Sequence, residues 1–319
     1  MCFLVLERLH SKRLLRTSAL AQPSISMLNR RSLFSASLSA GLLTGCTLSP
    51  DEDHAGSDAP RAMPLARPAR TAWVFSSGGP RGFVHVGVIK AMSEMGLVPD
   101  LLVGASVGSA VAVMYACGKS AHDIEHLALE LKPWSLGRLA IGGNVRLSGS
   151  AISDMVRSEV NGLLLERMHI PVVCVAARLS DTRPVGFNAG DAGVAVQASC
   201  AIEGQFSPVR IRGELYVDAD LYQPLPVRLA RQLGASRILA VDASAHEERA
   251  PIGSERYRAG DLRKRALTEP DARAADVTLH PEFGYYVNLS REYRELAIAA
   301  GYQTALAAAK QLTALHTFA

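Results

Sequence analysis

Aromatic residues make up only 6% of this 319-residue chain, and no basic block is interleaved with them. That removes the stacking and phosphate-neutralising pattern of a nucleic-acid surface. The net charge of +4 is small, and Arg30 and Arg31 belong to a leading segment that reads as separable from the rest. Of the five cysteines, Cys117, Cys174 and Cys200 lie in apolar surroundings without Cys-x-x-Cys or histidine spacing, which excludes a zinc-type site. They read as buried thiols, with a Cys174–Cys200 disulfide left open for an oxidising compartment. No Gly-x-Gly-x-x-Gly and no complete Gly-x-x-x-x-Gly-Lys-Ser/Thr occurs, so dinucleotide and nucleoside-triphosphate loops are unsupported. Neither an internal repeat nor an apolar run long enough for a lasting bilayer span is present. What remains, at 48% hydrophobic, is a globular chain with a sizeable core.

The leading segment carries its own address. Leu33 to Leu43 is a short apolar run that follows Asn29-Arg30-Arg31 and ends in Leu43-Thr44-Gly45-Cys46, the order of a secretory signal. The last four residues resemble the lipobox of bacterial lipoproteins, which implies acylation of Cys46. Arg30-Arg31-Ser32-Leu33-Phe34 partly resembles a twin-arginine export signal. Met27 is a natural start, leaving Met1 to Ser26 as an upstream extension. Multiple acyl chains hold a protein stably where a single chain does not. By the same resemblance, Thr47 after the cysteine points to the outer rather than the inner membrane, on the periplasmic side. The expected organisation is a leader over 1–46, a flexible tether over 47–70 and one domain over 71–319.

Within that domain, Trp73-Val74-Phe75, Leu101 to Val103, Val172 to Ala176, Ile211 to Val217, Ile238 to Val241 and Ala275 to Leu279 read as strands. Helical patterns fall between them over Gly82 to Met95, Ile152 to Leu165, Gly193 to Cys200, Leu225 to Leu233 and Ser290 to Leu315. The alternation predicts an α/β layer fold with a mostly parallel sheet. Glu247 to Thr268 is charged with almost no apolar period and is expected to be a solvated surface insertion.

Chemistry concentrates at Gly104-Ala105-Ser106-Val107-Gly108, between a strand and a small-residue helix. A serine on such a turn is lifted clear of the backbone beside the positive end of a helix. Upstream, Ser77-Gly78-Gly79-Pro80-Arg81-Gly82 also joins a strand to a helix, and its small residues expose N–H groups suited to an anion. Beside a nucleophilic serine, that loop would hold the oxyanion of a tetrahedral intermediate. Two bases can be written. One is His280 with Asp242, in the chain order of a histidine-based hydrolase. The stronger one is Asp218, which ends a strand and opens a loop fixed by Pro224 and Pro226; a partly buried carboxylate can deprotonate a serine directly.

The ordered set Ser77-Gly78-Gly79-Pro80-Arg81-Gly82, Gly104 to Gly108 and Asp218-Ala219-Asp220 resembles the patatin-like phospholipases. Ala198 to Ile202, Phe206 to Val209, Ala275 to Val277 and Gly301-Tyr302 add to the likeness, which spans Trp73 to Tyr302. The resemblance implies a three-layer patatin-like fold and a serine acyl hydrolase cleaving lipid or phospholipid esters through an acyl-enzyme, without a cofactor or metal. Ser106 would be the nucleophile and Asp218 the base. Gly78 and Gly79 would form the oxyanion hole with Arg81 shaping it, and Gly104 and Gly108 would make the elbow. The partners expected are lipid substrate and the membrane surface reached through the anchor. Ser77 stands where the family often has glycine, Ala219 and Asp220 replace a small pair, and Glu203 stands in a common proline place. Asp220 has two placements: beside the serine, as a second carboxylate that raises the pKa of Asp218 by like-charge repulsion, or facing solvent. The second is the one expected, since neighbours in an extended segment face opposite ways. The departures also motivate a rival reading, a catalytically weak lipid-binding or scaffold lipoprotein on the same fold.

Overall fold

Alternating burial along continuous β-branched runs explains the centre of the molecule. The computed structural model describes residues 53–132, 136, 138–140 and 146–317. Cys46, the leader and residues 47–52 of the tether lie outside the described residues. The first strand, β1 (Thr71–Phe75), is followed by α1 (Val84–Glu94), β2 (Leu101–Ala105), α2 (Val107–Ala116) and α3 (Ala121–Glu130). A small hairpin, β3 (Arg138–Ala140) and β4 (Arg146–Ser148), leads into α4 (Ser150–Glu159), β5 (Val172–Arg178), β6 (Pro184–Phe187) and α5 (Ala192–Ser199). Then come β7 (Val209–Ile211), β8 (Glu214–Asp218), α6 (Val227–Gln232), β9 (Arg237–Val241), α7 (Glu255–Ala274) and β10 (Val277–Leu279). Two helices, α8 (Arg291–Ala307) and α9 (Ala309–His316), close the described chain.

The main sheet runs β10-β9-β1-β2-β5-β8-β7, with β6 also paired to β5. β10, β9, β1, β2 and β5 are parallel, and the β6, β7 and β8 pairings are antiparallel. Trp73, Phe75, Leu102, Val172, Cys174, Leu239 and Val241 point into one core with residues of α1, α2, α5 and α8. Their neighbours Ala72, Val74, Val103, Val173, Val175, Ile238 and Ala240 point into a second core with Val227 and Ala230 of α6. Both faces are therefore dry, which is why the strands read as unbroken apolar runs. This is the expected layered α/β fold with a largely parallel sheet.

Several local expectations change. Ile211 to Val217 is not one strand but a tight hairpin, turned by Arg212 (φ 51°) and Gly213 (φ 81°) between β7 and β8. The long last helix breaks at Ala308 into α8 and α9. The supposed solvated insertion over 247–268 is largely taken up by the 20-residue helix α7, which runs on past it to Ala274. Its buried side chains are the polar Thr268 and Asp271, so no apolar stripe announces it. Residues 53–70, expected as a free tether, are tied down through backbone and amide groups. His54 N–H donates to Arg210 O at 3.0 Å and Arg61 N–H to Ala189 O at 2.9 Å, while the Asn188 amide clasps the backbone of Met63. Gly118-Lys119-Ser120 turns α2 into α3, with Ser120 capping α3 and Lys119 paired to Glu159. Cys117, Cys174 and Cys200 are free thiols.

The register of β5 positions the site. Its residues 174 and 175 pair with both β2 and β6, so those strands lie on opposite edges. Residues 176 and 177 pair with both β6 and β8, so β8 occupies the same edge as β2. β2 leaves that edge at Ala105, opposite Val175; β8 takes it over at Asp218, opposite Ala176. The ends of two strands far apart in sequence thus meet at adjacent residues of a third.

Candidate active site

Ser106 sits at that meeting point with φ 53° and ψ −128°, a conformation that costs a non-glycine residue about 1–3 kcal/mol. Two neutral contacts hold it there. Its N–H donates to Ser199 Oγ at 2.8 Å, and Ser199 in turn donates to Val175 O on β5 at 2.6 Å. The Ser106 carbonyl accepts from Ser109 N at 2.9 Å and from Ser109 Oγ at 2.6 Å in the first turn of α2. The flanking glycines are needed for close approach. A Cβ on Gly104 would lie 2.3 Å from Gly108 O, and one on Gly108 would lie 2.5 Å from Phe75 O.

Asp218 is 3% exposed at the end of β8. One carboxylate oxygen accepts from Asp220 N at 2.9 Å, while Oδ2 is buried without a hydrogen-bond partner among the described residues. Burial, and then the negative charge of Asp220, push its carboxyl up to about 7; the nearby Ser106 hydroxyl and Lys264 work against that rise. Ser106 is thus beside Asp218, although no fully formed hydrogen bond joins them. In unliganded sites such contacts are often loose.

The glycine loop lies against the same region. Ser76 N–H donates to Val241 O on β9 at 3.1 Å and Ser77 N–H to Pro224 O at 2.8 Å. Gly79, at φ 52°, opens a 3-10 turn that runs to Phe83. Among the described residues no acceptor takes the N–H of Gly78 or Gly79. Arg81 is buried and spends its donors on structure: Nε reaches Ala243 O at 2.8 Å, Nη1 reaches Gly284 O at 3.0 Å, and the guanidinium lies 4.5 Å from the centre of the Phe283 ring. It braces the loop from behind.

Asp220 does not simply point out to solvent: half-buried, it turns toward Ser77 and Lys264. Residues 219–221 form a 3-10 turn rather than an extended segment, so alternation does not apply and the side chain folds back. Ser77 Oγ donates to Asp220 at 2.5 Å, and Lys264 of α7 donates to both Ser77 Oγ, at 2.7 Å, and Asp220. Burial opposes the charge on Asp220, yet Lys264 and these bonds hold its carboxyl below the ordinary range.

The histidines are placed elsewhere. His280 Nε2 donates to Ser244 O at 2.9 Å, and the ring stacks on His246 at 3.7 Å between ring centres. With Asp242 they form the group of donor atoms within 4.8 Å of one another found among the described residues. Burial, and nearby Arg81 and His246, lower the pKa of His280 in spite of Asp242. His246 and His280 line a hollow of about 290 Å³ with Arg81, Phe283 and Tyr285, and neither Ser106 nor Asp218 borders it. His85, fully buried under Phe75, bonds Ser76 O at 2.9 Å and is held neutral by burial, its pKa lowered to about 4. A cleft of about 610 Å³ opens between residues 53–60 and α4 and α5, again away from Ser106.

Nucleophile-type turn, anion-type loop and buried carboxylate thus converge. The sequence pattern described as patatin-like phospholipase matches residues 73–231. Over that stretch the chain is similar to the patatin-like phospholipases. An NTE family protein of Mycobacterium tuberculosis, itself uncharacterized, is 32% identical over 181 residues, covering 56% of this chain and 50% of that protein. Human patatin-like phospholipase domain-containing protein 6 is 27% identical over 188 residues, which is 56% of this chain and 14% of that protein. The chain thus spans half the length of the mycobacterial relative and much less of the human one. VipD from Legionella pneumophila shares the fold, with a TM-score of 0.53 at 14% identity over 85% of this chain and 72% of that one.

Two residues that touch this candidate site escape a reading of motifs. Ser199 lies inside the matched Ala198 to Ile202 stretch, and a lone hydroxyl in that apolar helix end is the signal that could have found it. Lys264 has no local signal; only the unexplained charge of Asp220 calls for a cation.

Proposed function

We propose that the domain hydrolyses carboxylic esters of lipids, with Ser106 as nucleophile and Asp218 as base. The observation carrying this reading is the shared edge of β5, where the turn after Ala105 and the end of β8 meet at Val175 and Ala176. Asp218 takes the Ser106 proton as Oγ adds to the ester carbonyl carbon. The resulting oxyanion is received by the open N–H groups of Gly78 and Gly79. Collapse expels the alcohol, protonated by Asp218, and leaves an acyl-serine. Water then loses a proton to Asp218 and attacks the acyl carbon, and the carboxyl returns that proton to Ser106 as the fatty acid departs. A carboxyl near pH 7 is suited to both proton transfers.

Because the free carboxylate is the base, kcat/KM should rise as pH increases through about 7. The test is release of fatty acid from lysophospholipid, phospholipid and short-chain esters, together with fluorophosphonate labelling. Ser106→Ala should remove labelling, and turnover should fall by at least about 1,000-fold. Full turnover in Asp218→Asn would move the base elsewhere. The rival scaffold reading expects no turnover of any of these esters; the Lys264 partner of Asp220 weighs against one of the two departures that motivate it, and Ala219 remains the other.

We further propose that Cys46 anchors the chain to a membrane on the periplasmic side, on the strength of the Leu43 to Cys46 pattern. Incorporation of labelled fatty acid, lost in Cys46→Ala, tests that address.

A further inference from the structure

Ser77, Asp220 and Lys264 come from three separate stretches of sequence and close into one hydrogen-bonded unit. Ser77 is already joined to the loop of the base through its own N–H, which donates to Pro224 O. Its hydroxyl adds a second tie to the same loop through Asp220. Asp220, in turn, donates its N–H to the Asp218 carboxylate. Two of these residues are the departures from the family pattern, and the third is the cation that makes them compatible.

The helix bearing Lys264 is pinned independently. Asp271 of α7 is fully buried and takes a forked bond from Arg228 with distances of 2.9 to 3.1 Å, plus the Arg228 N–H at 2.8 Å. Asp261 accepts from Tyr285, and Arg265 pairs with Glu247 and Glu248. Lys264 is therefore presented from a fixed support rather than from a loose arm.

We propose that Lys264 is a positioning residue of this site: it clamps Ser77 to Asp220, couples the oxyanion loop to the loop carrying Asp218, and balances the second carboxylate beside the base. The proposal rests on Asp218 being the base. The groups facing Asp218 are Ser106 from the turn before α2, Asp220 from its own loop, Lys264 from α7 and Cys200 at the end of α5. Burial pushes the Cys200 thiol well up, so it stays neutral and adds no charge. Only Asp220 and Lys264 then contribute charge to Asp218, with opposite sign.

That opposition supplies the test. The pH dependence of kcat/KM on a water-soluble short-chain ester is measured for the full chain and its Lys264→Met, Asp220→Asn and doubly substituted forms. Lys264→Met should move the acid limb up by about 1 pH unit, and Asp220→Asn should move it down. In the Asp220→Asn background, the further effect of Lys264→Met should shrink, and Lys264→Arg should restore the original limb. A merely structural lysine would lower activity without moving the limb in opposite directions. If Asp218→Asn is inactive and the limb stays put in both single variants, or moves the same way in both, the proposal is overturned alone. If Asp218→Asn keeps its turnover, the base assignment fails and the proposal falls with it. Should Lys264→Met not fold, the Asp220→Asn shift and the Lys264→Arg limb decide the matter.

Discussion

The two halves of the site are built from different materials. Around Ser106 the chain uses glycine, tight backbone contacts and neutral hydroxyls from Ser199 and Ser109, all inside the core. Around Asp218 it uses charge: a second carboxylate, a lysine from a surface helix and the buried Ser77 that joins them. The first half has little room to change, because backbone and Cβ positions there are set by van der Waals distance. The second half can be tuned, because charges act across space and respond to their neighbours. Geometry is held on one side and acidity is set on the other.

Three substitutions would break or sharpen that contrast. Gly108→Ala should have the largest effect, since its Cβ would press on Phe75 O at 2.5 Å and Ser76 O at 2.6 Å. Displacing the turn by a fraction of an ångström to 1 Å should cost about 100-fold in turnover, read as kcat in whatever fraction folds. Wild-type turnover there would refute the rigid half. Ser199→Ala comes next. It leaves the buried Ser106 N–H without its acceptor, a loss of about 1–3 kcal/mol, visible as a lower denaturant midpoint and reduced kcat. The acid limb of the pH profile should stay where it is, because no charge changes; a moved limb would blur the contrast.

The smallest effect concerns stability. A carboxyl raised in the folded state is protonated there while the unfolded chain, with its ordinary carboxyl near 3.8, has already ionised. Between that value and about 7 the folded state binds the extra proton, so the Asp218 contribution to stability declines as pH rises through this window. Asp218→Asn cannot ionise and should escape the decline. Its Tm should exceed that of the unsubstituted chain by about 2–4 °C per kcal/mol at pH 8, with the gap narrowing toward pH 4. A gap that is constant across pH would sink the buried-acid account.

Much of the rigid half was legible from residues alone, and the tunable half was not. Val172 to Ala176 and Ile238 to Val241 announce covered strands because both faces are apolar, and the Gly-x-Ser-x-Gly turn follows from local sterics. Asp218 was legible as a strand end. Asp220 was misplaced because two-residue alternation was applied where the chain enters a 3-10 turn. Helix α7 was missed for a related reason: it is anchored by Asp271 on Arg228 rather than by an apolar stripe, and it carries Pro270 within it. Hydrophobic periodicity cannot report a helix whose buried groups are polar. The hold on residues 53–70 is likewise made by backbone groups that composition does not reveal.

The order of the sheet has a consequence for any attempt to shorten this protein. The matched family region ends at residue 231, yet β9, the strand that covers the outer edge of β1, begins at Arg237. A chain cut at 231 would leave Thr71 to Phe75 with a bare row of unpaired amides and carbonyls, flanked by the now uncovered Trp73 and Phe75. Such an edge is a template for joining other chains. Removal of β9 and all that follows should therefore yield inclusion bodies or soluble aggregates rather than a smaller folded domain, because the boundary of likeness is not the boundary of folding.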